Sequence, residues 1–67
     1  RETMTAQFIL DNSELLDKSL CVIHDNTVYE FIPLHNEVRK FFSTDDYDYV
    51  DVNDPLFDTV VKLYYSK

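Results

Sequence analysis

Sixty-seven residues with a formal net charge of −7 read as one small domain whose field repels nucleic acid and anionic membranes and attracts basic partners. The chain has no glycine, which excludes a phosphate-cradling loop and any motif that needs close backbone approach. Its single cysteine cannot form an internal disulfide, so the expected compartment is a reducing one, the cytoplasm, and no apolar run approaches the roughly 20 residues of a membrane span. Apolar residues at 45% and aromatics at 15% are enough for a packed core and argue against disorder.

Arg1-Glu2-Thr3 stands before Met4, the only methionine, and reads as a remnant of expression, with the native chain starting at Met4. Thr5–Leu10, ending in Phe8-Ile9-Leu10, is read as a first strand. Asp11 with Glu14 three residues on has the form of a capping box, which predicts a helix or turn of about two turns carrying Leu15, Leu16 and Leu20.

Leu20–Leu34 commits most firmly to a structure. Two arms rich in β-branched and aromatic residues flank Asp25-Asn26, which predicts a two-residue β-hairpin. The register that follows sets His24 against Thr27, Ile23 against Val28, Val22 against Tyr29, Cys21 against Glu30 and Leu20 against Phe31. Alternation then separates Leu20, Val22, Tyr29 and Phe31 from Cys21, Ile23, Val28, Glu30 and Ile32. The first, more aromatic face is the expected core side. Pro33, with no N–H to give, ends the second arm.

Leu34, Val38, Phe41 and Phe42 fall at i, i+4, i+7 and i+8, an amphipathic-helix spacing stopped by Ser43-Thr44-Asp45-Asp46. Asp46–Val52 alternates in part like a strand, with Tyr47 and Tyr49 on one face and Asp48, Val50 and Val52 on the other. Its neighbouring like charges suit an edge strand or an extended loop. Asn53-Asp54-Pro55 then announces a helix, with Asp54 as N-cap, Pro55 in the first turn and Asp58 near the positive end of the dipole. Leu56, Val60, Leu63 and Tyr64 would share a helical face, against a competing strand through Thr59–Tyr65. The resulting expectation is an α+β domain spanning residues 1–67. A small antiparallel sheet, built from the N-terminal strand and the central hairpin, packs against two or three short helices near Leu34–Phe42 and Pro55–Tyr65.

Catalytic constellations fail on geometry. Cys21 and His24, three apart on a strand, point to opposite faces and cannot share a proton. One Cys and two His fall short of four zinc ligands. An EF-hand loop starting at Asp46 has Val50 at position 5 and Asp51 where glycine is needed. Asp45, Asp46 and Asp48 leave only weak, unspecific divalent binding. No enzyme and no cofactor are expected.

What remains is Asp45, Asp46, Asp48, Asp51, Asp54 and Asp58, with Tyr47 and Tyr49 interleaved and no base among the residues 45–58. Tyrosine supplies amphipathic contact area at low entropic cost, and aromatics are enriched at interface cores. Alternate residues of a strand lie roughly 6.6 Å apart, about two base steps of DNA rise, so a carboxylate row can stand in for phosphates. In composition the chain resembles the small acidic inhibitors of phages and mobile elements, some of which mimic DNA. That likeness implies a partner with a basic, nucleic-acid-binding surface. The alternative is an assembly subunit, a homodimer for instance, that pairs through leftover apolar faces at Ile32, Phe57, Tyr64 and Tyr65.

Overall fold

The computed structural model describes residues 1–67. Its centre is a four-stranded antiparallel meander in the order β1 (Cys21–His24), β2 (Thr27–Ile32), β3 (Glu37–Phe41), β4 (Tyr47–Tyr49). One helix, α1 (Ala6–Asn12), covers one face, and a second, α2 (Pro55–Tyr65), covers the other. Single 3₁₀ turns at Lys18–Leu20 and Pro33–His35 bracket the first two strands. The α+β class holds, with two α-helices and a larger sheet than the sequence suggests. No helix is long and apolar enough to cross a membrane.

The hairpin forms in the expected register, Cys21 against Glu30 through His24 against Thr27. Asp25 and Asn26 both take positive φ, 53° and 60°, the backbone of a two-residue turn whose twist matches the strands. Leu20 falls outside the ladder, in the 3₁₀ turn.

The sheet is buried on both faces, which corrects the expectation of a single core side. Val22, Tyr29, Phe31 and Val38 pack with Phe57 and Val60 beneath α2. Cys21, Val28 and Phe41 pack with Ala6 and Ile9 beneath α1. Only a sheet covered on both sides can place Val28 and Tyr29, adjacent in sequence, in two separate cores.

Two further expectations are overturned. Thr5–Leu10 is helical, not a strand: Thr5 accepts a hydrogen bond from the Phe8 N–H as N-cap, and Ala6 and Ile9, one turn apart, supply the buried stripe. The helix or turn expected after Asp11 is not an α-helix: Asp11 lies in the last turn of α1, and the stretch that follows holds only the 3₁₀ turn Lys18–Leu20. Leu34–Phe42 is likewise not a helix but a 3₁₀ turn followed by β3, which pairs along β2 from Val28–Phe41 to Ile32–Glu37. Val38 and Phe41 mimic a helical stripe only because each is fully buried against a different helix layer.

The helix expected from Pro55, with its Asp54 cap, forms. Asp54 caps it by accepting the Leu56 N–H at 3.0 Å, and Pro55 opens its first turn. Of the expected face, Leu56, Val60 and Tyr64 pack on the core together with Phe57 and Val61, but Leu63 turns outward, which corrects that part of the expectation. Phe57 is therefore a core residue and is not available as apolar surface.

Candidate functional site: the acidic edge

β4 borders only β3, so it forms one free edge of the sheet. Its pairing sets Phe41 opposite Tyr47, Lys40 opposite Asp48 and Arg39 opposite Tyr49. The Phe42 N–H donates to the Asp46 carbonyl at 2.9 Å and the Val50 N–H donates to the Val38 carbonyl at 2.8 Å. Strand alternation then turns the main-chain groups of Tyr47 and Tyr49 away from the sheet, towards solvent.

The tyrosines lie on the α1 side. Tyr47 stacks on buried Phe41 with centroids 5.1 Å apart, and Tyr49 meets Tyr47 edge-on at 5.7 Å. The Arg39 guanidinium lies 5.0 Å from the Tyr47 ring centre and 5.8 Å from that of Tyr49. Tyr49 is 61% exposed. Its hydrogen bond with the Tyr47 hydroxyl, followed by the charges of Tyr47 and Glu37, pushes its phenol above the usual value.

Asp48 projects to the opposite side of the strand, as alternation requires, and Asp46 shares its parity. A partner that touches both the carboxylates and the tyrosine rings must therefore wrap around the edge. Arg1 bridges the two carboxylates, its Nε 3.1 Å from Asp46 Oδ2 and its Nη2 2.9 Å from Asp48 Oδ1. Lys40, although opposite Asp48 in register, makes no ion pair with it; its Nζ lies 5.5 Å from the Phe42 ring centre.

The other four aspartates continue the segment on either side. Asp45, in the β3–β4 turn, accepts from the Ser43 hydroxyl at 3.0 Å and has no cationic partner. Asp51 accepts the Asn53 N–H at 2.8 Å and has none either. Asp54 is committed to the α2 cap. Asp58 pairs with Lys62 one turn on, at 3.2 Å with both side chains well exposed. Asp45 to Asp58 thus run from the turn, along the free edge, through the loop at 50–54 and into the first turn of α2.

Neither Arg1 nor Arg39 is among the site residues the sequence points to, and Phe42 belongs there to an amphipathic-helix stripe. Phe42 is only half-buried and carries a cation on its ring, the Arg1 guanidinium at 3.8 Å from the centre. The only signal in the sequence was the apolar pair Phe41-Phe42 just before the acids. In a strand such a pair must split between two faces.

No group of three or more His, Cys, Asp or Glu side chains is arranged to hold a metal ion, so the carboxylates are spread along the chain and do not converge. The largest hollow, about 600 Å³ and open, lies elsewhere, between Thr5, Ala6 and Gln7 at the start of α1 and Asp25, Asn26 and Thr27 at the hairpin turn. Cys21 is buried, donates to the Asp17 carbonyl at 3.4 Å, and has its thiol pushed up to about 11 by burial and then by the charge of Glu30. Such a thiol is not a nucleophile near neutral pH. Comparison with known protein families, curated proteins and solved structures finds no match for this chain.

Proposed function

We propose that this protein is an interaction module, not an enzyme, and that its acidic edge occupies the basic, nucleic-acid-binding surface of a partner protein in the manner of a DNA mimic. One observation carries the reading. The six aspartates of residues 45–58 occupy a free sheet edge, its turn and an adjoining helix start, and only Arg1 and Lys62 reach them. Carboxylates spaced along an edge strand present a row of anionic oxygens to a surface built for phosphates. Tyr49 adds exposed aromatic area around the corner of the same strand. Charge reversal by Asp46→Lys, Asp48→Lys and Asp51→Lys together should abolish binding to such a partner, and affinity in the parent chain should fall steeply with salt. Binding that survives both changes would refute the reading.

A second reading, self-association through apolar surface, draws support from Leu34 and Tyr65, which are 87% and 68% exposed. Tyr65 belongs to an aromatic trio with Tyr64 and Phe31. A salt-insensitive dimer in sedimentation at micromolar concentration would favour it, and a strict monomer would remove it.

A further inference from the structure

The guanidinium of Arg1 is held on three sides. Asp46 Oδ2 lies 3.1 Å from Nε, Asp48 Oδ1 lies 2.9 Å from Nη2, and the Phe42 ring centre lies 3.8 Å from the guanidinium carbon. The backbone places these three groups whether or not a cation is present. The Asp46 carbonyl accepts the N–H groups of Phe42 and Ser43 at 2.9 and 3.3 Å, which fixes the ring beside the first carboxylate. Asp48 follows two residues along β4, on the same side and roughly 6.6 Å further.

This arrangement distinguishes arginine from lysine. A planar guanidinium can direct separate N–H groups at two carboxylates while its flat face rests on an aromatic ring. An ammonium is a point charge and cannot do all three. Lys40 illustrates the difference within the same chain, since it stands opposite Asp48 yet makes no ion pair with it. The hydrogen bond from Arg1 to Asp48 also raises the guanidinium pKa further above its ordinary value.

We propose that Phe42, Asp46 and Asp48 form an arginine clamp, occupied by Arg1 where that residue is present, and that a basic partner engages the acidic edge by inserting an arginine into it. The inference rests on the proposed function and deepens it by naming the side chain the partner must present. Exposed ion pairs contribute little to stability, so Arg1 holds the clamp weakly. A partner arginine arrives with neighbouring cations that reach Asp45 and Asp51, which have no counter-ion of their own.

The test uses the full chain and two capped peptides of equal charge, hexa-arginine and hexa-lysine, with binding followed by calorimetry and by the Phe42 ring resonances. Hexa-arginine should bind several-fold more tightly than hexa-lysine and should shift the Phe42 signals. Arg1→Ala should tighten hexa-arginine binding several-fold by removing the internal competitor. Phe42→Leu should erase the preference for arginine while leaving hexa-lysine binding nearly unchanged. If that variant does not fold, Asp48→Asn in the Arg1→Ala background should erase the preference instead. Equal affinity for the two peptides, with no effect of Arg1→Ala, would overturn the clamp and leave the acidic-surface reading standing. Failure of either peptide to bind at low salt would overturn both.

Discussion

Glu30 and Arg39 stand opposite each other on β2 and β3, with Arg39 Nη1 3.5 Å from Glu30 Oε1. Glu30 is the one buried charged residue, its side chain 4% exposed. Its other oxygen accepts the Asp17 N–H at 2.9 Å, which fastens the chain between α1 and β1 across the sheet. Arg39 divides its charge between Glu30 and Glu37 and lies against the rings of Tyr47 and Tyr49. It thereby links the buried carboxylate to the acidic edge. Replacing Arg39 with Met leaves Glu30 buried without its counter-ion and should cost about 3 kcal/mol. Glu30→Gln, which retains an acceptor for Asp17, should cost about 1 kcal/mol. Urea midpoints of the two variants, compared at equal slope, check the order.

Asp54 separates stability from binding. Asp54→Ala removes the α2 cap and should destabilise the fold by about 1 kcal/mol. Asp54→Asn keeps a capping oxygen while removing a charge, so it should unfold near the parent midpoint. Thermal melts of the two variants read the difference.

The hairpin turn is strained by chemistry that glycine would relieve. Asn26 sits at φ 60° in a chain with no glycine at all. Asn26→Gly should leave the register unchanged and shift stability by no more than about 1 kcal/mol, upwards if relief of the backbone outweighs added freedom in the unfolded chain. Asn26→Val, a β-branched residue that resists positive φ, should destabilise by more than 1 kcal/mol, on the order of the αL penalty. Denaturant titration of both variants decides the sign and the gap.

Stability should fall on the alkaline side. Burial, and then the charge of Glu30, raises the Cys21 thiol to about 11; burial, and then Asp25, raises the Tyr29 phenol. In both cases the unfolded chain ionises first, so it binds fewer protons than the folded chain over the intervening range. The contribution is therefore intact below the unfolded cysteine value of about 8.5 and is lost as pH rises towards the folded one. On the acid side, hydrogen bonds from Ser19 hold Asp17 below its ordinary value, so its contribution is lost as pH falls through that lowered value. Urea midpoints should decline from pH 8 to pH 11, and Cys21→Ala should flatten part of that decline. In the native protein at pH 8 the thiol should resist alkylation and should become reactive in denaturant.

The residues that were legible in the sequence are those whose local chemistry and tertiary surroundings agree. Alternation on either side of Asp25-Asn26 set the hairpin register, and Asp54-Pro55 set the start of α2. The crowding of like charges in Asp46–Val52 left an edge strand and an extended loop open, and Tyr47–Tyr49 takes the edge. The failures have separate causes. β3 is covered on both faces, so Val38 and Phe41 are buried in different layers and their spacing imitates a helix. Thr5–Leu10 is too short for its apolar run to distinguish helix from strand, and its Thr5 cap is a weak signal beside Phe8-Ile9-Leu10. At the acidic segment the order of the aspartates was readable. The reach of Arg1 across to β4 was not, because that pairing joins residues more than forty positions apart.

The most direct measurement is competition on an immobilised chain exposed to host lysate, with the parent protein beside the Asp46→Lys, Asp48→Lys, Asp51→Lys variant. The expected result is a nucleic-acid-binding protein retained at low salt, released at high salt, displaced by duplex DNA and absent from the variant. A partner retained equally by the variant, or one that duplex DNA fails to displace, would contradict the idea that these carboxylates take the place of phosphates.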